Sequence, residues 1–218
     1  MKNKSVIISV LLCVLCVFAV QISRAETTEA DELSYTFDFT QPVITKSGDY
    51  DQVSMEGCEI SHKTGKPLLP FKGITVLLPE GKEVSEVICE PEDEVTIPGS
   101  YLVKPAAQPY PLSRPELRKK AVPDAAIYNS DTPYPEKVSS PGLPQTKKGY
   151  NLLFVNLYPV RYIPAKGELS YFKRIKVRLV LESSKRLGNE LGTRDLASDR
   201  EEISWMVTNP EVLKSYGN

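Results

Sequence analysis

The chain has 218 residues, 27 Lys and Arg against 28 Asp and Glu, 41% hydrophobic side chains, 18 Pro, 4 Cys and a single His. That is globular composition, and it excludes a collagen-like, disulfide-dense or wholly disordered chain. One His excludes a His-rich metal site and leaves His62 as the sole imidazole for a nucleophilic centre. The near-neutral charge argues against a nucleic-acid partner.

Residues 1–25 read as a secretory signal peptide. Lys2 and Lys4 precede an apolar run from Val6 to Val20, and Ser23 and Ala25 are small at the −3 and −1 positions, so cleavage is expected between Ala25 and Glu26. Fifteen helical residues span only about 22 Å, short of a bilayer's hydrocarbon core, so a membrane anchor is not expected. Cys13 and Cys16 each follow a Leu rather than a small residue, which disfavours lipid attachment. The mature chain then carries 24 basic against 28 acidic side chains, a charge of −4. It keeps Cys58 and Cys89, either as two free thiols or as a disulfide that would add about 3–4 kcal/mol by restricting the unfolded chain.

From Leu33 the pattern has period two, with Leu33, Tyr35, Phe37 and Phe39 alternating with polar residues, which predicts a half-buried strand. Further strands are expected around Val53 to Ile60, at Ile74 to Leu78, at Val84 to Cys89 and at Val95 to Ile97. Gly48 to Asp51 reads as a turn. The stretch Glu80 to Glu94 holds seven acids against one Lys without EF-hand spacing, and reads as a solvated hairpin tip rather than a calcium site. Residues 104–149 hold nine prolines and form an expected irregular excursion, with Ile127 and Tyr128 pinning its middle. Alternation returns at Tyr150 to Tyr158, Val160 to Tyr162 and Leu169 to Glu182, the longest expected strand.

The tail is different. Ser198 and Glu201 have capping-box spacing before a helical stripe of Ile203, Met206 and Val207. Asn209 and Pro210 are suited to the cap and first turn of a second helix that Gly217 would stop. Two such short helices need a surface to pack on. The expected architecture is an all-β antiparallel sandwich or curled barrel of about nine strands, divided as signal peptide 1–25, β domain 26–183 with excursion 104–149, and helical linker 184–218.

Few residues offer chemistry. Cys58 and His62 on one extended strand would stand about 13 Å apart, too far for a nucleophile and its base. HExxH, GxSxG and phosphate-loop patterns are absent, and the Cys13–Cys16 spacing falls inside the signal peptide. No catalytic residue, metal ligand or cofactor site is expected. The excursion, however, carries Arg114, Arg118, Lys119, Lys120, Lys137, Lys147 and Lys148 against Glu116, Asp124, Asp131 and Glu136. It reads as a soluble loop, a protease-sensitive segment or a basic element offered to an acidic pocket.

Gly65-Lys-Pro-Leu-Leu-Pro70 followed by Val76-Leu-Leu-Pro79-Glu-Gly81 resembles the N-terminal propeptide of gingipain-type cysteine peptidases. Tyr134-Pro135, Val155-Asn-Leu-Tyr-Pro159-Val-Arg-Tyr162, Gly167 and the strand through Ile175 and Val177 continue the resemblance, which covers about Tyr35 to Leu181. Ile163 departs from it, where the family commonly has Asn. The resemblance implies a secreted all-β domain that precedes a caspase-like catalytic domain and keeps it silent, with a basic loop residue in the specificity pocket. The catalytic Cys and His would belong to that other domain, as partner in cis or in trans. No inhibitory residue aligns, so charge and exposure nominate Arg118, Lys119 and Lys120, with Lys137 as runner-up. The competing expectation is a secreted β-sandwich binding or adhesion module without a peptidase partner.

Overall fold

The structure is a computed structural model and describes residues 31–184 and 196–217. The signal-peptide reading and its Ala25–Glu26 cleavage point lie outside the described residues. Eleven strands run β1 (Asp31–Asp38), β2 (Val43–Ser47), β3 (Tyr50–Ser54), β4 (Glu59–Ile60), β5 (Pro70–Leu77), β6 (Lys82–Ile97), β7 (Ser139–Pro141), β8 (Gln145–Lys147), β9 (Tyr150–Leu157), β10 (Val160–Ile163) and β11 (Glu168–Ser183). Two α-helices, α1 (Ala125–Tyr128) and α2 (Ala197–Met206), and 3-10 turns at Pro115–Leu117, Pro164–Lys166 and Pro210–Ser215 complete the elements.

All strand pairs between named strands are antiparallel. One sheet is built on β11, with β1 and β10 along one side and β6 along the other. A second sheet runs β4-β5-β9-β7, with β8 also on β9. Neither closes into a barrel, and β2 and β3 form a separate hairpin through Gly48. The alternating residues of β11, from Leu169 and Tyr171 to Ile175, Val177, Leu179 and Leu181, face Ile74 and Val76 of β5 and Leu153, Val155 and Leu157 of β9 in one core. Each such fully buried aliphatic side chain contributes about 1.5–3 kcal/mol by leaving water.

Strand β9 is apolar on both faces. Tyr150 and Leu152 turn away from the main core and, with Leu77, meet Ile203, Val207, Leu213 and Tyr216 of the tail. The tail therefore forms a third layer on the β domain, which supplies the surface its short helices need.

Three local expectations are corrected. The acidic stretch is not a hairpin tip: β6 continues through it for 16 residues, with Pro91 opposite Ile175. Among the described residues β6 pairs only with β11, so this edge position tolerates a residue without an N–H. Its acids meet the basic face of β11, Arg178–Glu90 at 3.0 Å and Lys176–Glu92 at 2.7 Å, while the Ser170 hydroxyl donates to Glu94 at 2.7 Å. The capping box does not form either. Helix α2 starts at Ala197, with Leu196 at its cap and no side-chain cap bond, so Ser198 is already inside. Asn209 and Pro210 do take the cap and first positions of a second helix, but it is a 3-10 helix and the Asn209 side chain makes no cap bond. Its side chain bonds β5 instead, accepting from the Leu77 N–H at 2.8 Å and donating to the Leu77 carbonyl at 2.9 Å and to the Tyr35 hydroxyl at 2.9 Å.

Candidate functional site

The excursion is anchored at both feet and free between them. Its first foot rests on Asp51, a buried carboxylate that accepts from the Leu102 N–H at 2.8 Å and pairs with Lys46 at 2.7 Å. Burial disfavours the charge, but the Lys46 ammonium and the Leu102 N–H outweigh it and hold the carboxyl below its ordinary value. Beyond Val103 the chain runs beside Gly65, whose N–H donates to the Ala106 carbonyl at 2.9 Å, while the Ala106 N–H donates to Lys66 at 2.8 Å.

The returning foot closes on the same glycine, the Asp124 N–H donating to the Gly65 carbonyl at 2.9 Å. Gly65 sits at φ +76, and a Cβ there would meet Asp124 Cβ and the Val122 carbonyl at 3.4 Å. It is the left-handed backbone at Gly65, more than the space around it, that favours glycine there. Asp124 then caps α1 by accepting from the Ala126 N–H at 3.1 Å, and the Tyr128 hydroxyl donates to the Val103 carbonyl at 2.7 Å. Tyr128 thus pins the excursion as expected. After α1, the cis Tyr134–Pro135 segment exchanges two backbone hydrogen bonds with Tyr162, at 2.7 and 2.8 Å. The excursion is less irregular than expected, because β7 and β8 add to the free side of β9.

Between the feet, residues 107–123 project, and every residue from 111 to 120 is exposed. Arg118 ends the 3-10 turn with φ −62 and ψ 117, an extended backbone. Arg118, Lys119 and Lys120 are exposed and have no ion-pair partner among the described residues. Arg114, by contrast, pairs with Glu116 at 3.1 Å. Leu112 is 91% and Val122 72% exposed, and Leu117 is exposed as well. Sequence reasoning nominated the three cations but passed over these apolar neighbours, although leucines inside a Pro-rich basic stretch were a readable signal.

Lys137 stands elsewhere. It follows the cis-Pro135 and lines a groove of about 420 Å³ with Lys63 and Lys66, at the foot of the excursion rather than its tip. Lys147 and Lys148 are also withdrawn from the loop, since they hold α2 through Glu202 and Asp199.

Among the described residues no hydrogen bond joins Cys58 or Cys89 to His62. Cys58 and Cys89 are free, half-buried thiols. Burial raises the Cys58 thiol against the nearby Lys72 charge, and burial raises Cys89 against a hydrogen bond from Ser139. A nucleophilic cysteine needs the opposite shift. His62 is exposed just beyond β4.

A family model described as Propeptide_C25 matches residues 30–196. The chain belongs to the Propeptide_C25 family. Its domain is a propeptide and not a catalytic domain. Among solved structures it is similar to a chain in the complex of Porphyromonas gingivalis RgpB pro- and mature domains, with TM-score 0.62 and 16% identity over 85% of this chain and 96% of that one. It is also similar to a chain from a structure addressing zymogenic latency of gingipain K from Porphyromonas gingivalis, with TM-score 0.60 and 19% identity over 72% and 90% of the two chains. No curated protein matches the chain. Both structural likenesses show that this C25 propeptide shares their all-β fold. Among its described residues no helix is long and apolar enough to cross a membrane.

Proposed function

We propose that this C25 propeptide is secreted and keeps a gingipain-type cysteine peptidase latent by placing the segment around Arg118, Lys119 and Lys120 in the active-site cleft in the manner of a substrate. The observation that carries this reading is the exposed, extended Arg118 backbone on a loop whose two feet converge on Gly65. A peptidase cleft binds an extended chain with an accessible side chain, and anchored feet lower the ordering cost of presenting one. The exposed Leu112, Leu117 and Val122 add apolar contact beside the cations. Linkage in cis would add an effective concentration in the millimolar range, which cutting the connection abolishes.

The test is inhibition of a gingipain-type peptidase by residues 26–218 and by single Ala substitutions at Arg118, Lys119, Lys120 and Lys137. One of the first three is expected to weaken inhibition by about 30-fold or more, mostly through a faster off-rate, as for a desolvated ion pair worth about 2–5 kcal/mol. Wild-type inhibition with all three variants within twofold of it would remove the plug. The same preparation should show no peptidase activity. Turnover abolished by Cys58→Ala or His62→Ala would contradict the role of this domain as a propeptide.

A further inference from the structure

The groove at the foot of the excursion is a concave, cationic surface outside the proposed plug. It lies where β4, the β4–β5 connection and the segment from α1 to β7 come together. Lys63, Lys66 and Lys137 line it, Ser61 and Thr132 contribute hydroxyls, and Tyr158 contributes an aromatic face. Glu136 is its one acidic lining residue, and none of the three lysines has an ion-pair partner among the described residues. Its volume, about 420 Å³, lies in the range of sites that hold a small ligand or a few residues of peptide. Lys46, Lys147, Lys148, Arg174, Lys176 and Arg178 pair with carboxylates, whereas the three groove lysines, like Arg118, Lys119 and Lys120 at the tip, do not among the described residues. Unmatched like charges gathered around one concavity repel each other and attract an anionic occupant.

We infer that this groove is a second docking site, which accepts an acidic, extended peptide segment of the peptidase that the loop engages. The inference rests on the latency reading above and extends it to a different surface. Continuity favours a protein occupant. The Lys66 backbone carbonyl accepts the Ala106 N–H where the projecting loop departs, and the Asp124 N–H donates to the Gly65 carbonyl where it returns. The groove therefore adjoins the feet of the loop that the partner would engage. The tip supplies cations to a cleft, and the groove supplies cations to the rim around it. Such peripheral charge pairs set encounter rate and orientation more than residence time.

The experiment has two arms, both on residues 26–218. In the first, a fluorescein-labelled hexaglutamate peptide is titrated at low salt, with inorganic phosphate as competitor. The comparison is between wild type, the triple variant Lys63→Glu, Lys66→Glu, Lys137→Glu, and Lys214→Glu as an exposed control on the tail. Urea unfolding checks that each variant folds, and the exposed single variant Lys137→Glu serves if the triple variant does not. Wild type is expected to bind, with a loss of at least tenfold in the triple variant, about threefold in Lys137→Glu and little change in Lys214→Glu. Absence of binding, equal binding by the charge-reversed groove, or displacement by phosphate at matched charge concentration would overturn the assignment. The second arm measures association with a gingipain-type peptidase, where the triple variant should slow the on-rate several-fold and steepen no salt dependence. Inhibition by wild type with an unaltered on-rate in the triple variant sinks the groove alone. Hexaglutamate binding without inhibition of any such peptidase sinks the latency reading instead.

Discussion

Asn209 shows how one side chain can decide the placement of a whole segment. It is fully buried, and its amide replaces a neighbouring strand for the Leu77 peptide by accepting from the N–H and donating to the carbonyl. The adjacent Thr208 N–H donates to the Thr75 carbonyl at 2.8 Å, so the tail pairs with β5 first by backbone and then by side chain. Asn209→Leu would leave both Leu77 groups and the Tyr35 hydroxyl without these partners inside an apolar layer. A loss of about 2–4 kcal/mol is expected, read as a lower urea midpoint. Asn209→Asp keeps the acceptor and removes the donors, and should lie near the Leu variant. An unchanged midpoint in both would show that the tail does not depend on this contact.

At the scale of elements, α2 is held by charge as well as by packing. Lys148 reaches Asp199 at 2.6 Å and Glu202 at 2.5 Å, and Lys147 reaches Glu202 at 2.6 Å. Hydrogen bonds from Lys147 and Lys148 bring the Glu202 carboxyl from 4.5 down to about 2, and those to Asp199 and Glu202 raise Lys148. A carboxyl with a depressed folded value stabilises above its ordinary range and loses that contribution as pH falls from about 4.5 towards 2. A raised lysine contributes below its ordinary 10.5 and loses its contribution above it. The clamp is therefore complete between those limits. Amide signals of residues 197–216 should broaden on acidification from pH 5 to pH 2 before those of β9 and β11. Lys147→Ala with Lys148→Ala should loosen the same residues already at pH 7. Simultaneous loss of tail and core signals would refute an independent clamp.

The same elements show what the sequence could express. The long period-two run made β11 readable, because its inward face is apolar at every second residue from Leu169 to Tyr171 and from Ile175 to Leu181. The consecutive Leu152, Leu153, Phe154 and Val155 also carried a signal of burial on both faces, which only the docked tail explains. Strand β6 was misread because its acids find their cations on β11, some eighty positions away, and local composition cannot encode that pairing. Asn209 was misread for a similar reason: the capping preference is local, while its actual partner is Leu77. At the candidate site the cations were legible from charge alone. The convergence of the feet on Gly65, which separates Lys137 from the tip, was not.

Across the whole molecule, rigidity and accessibility divide sharply. Lys173, Arg174, Lys176 and Arg178 lie on β11, a central strand paired on both sides, so a protease cannot draw that backbone into an extended cleft without unfolding the sheet. Residues 107–123 carry their cations on an exposed loop with no such pairing. Brief trypsin digestion should therefore cut first after Arg118, Lys119 or Lys120, leaving two fragments that stay associated. The link is physical: the fragment before the cut contributes β1, β5 and β6, and the fragment after it contributes β9 and β11, whose side chains share one core. The nicked domain should keep its near-ultraviolet circular dichroism and its urea midpoint within about 1 kcal/mol, since few buried groups lie in the loop. If the loop is the plug, the same nick should abolish inhibition of a gingipain-type peptidase while the fold persists. First cleavage within residues 173–178 would contradict the central position of β11. A nicked, folded domain that still inhibits as well as the intact one would place the inhibitory surface on the sandwich rather than on the loop.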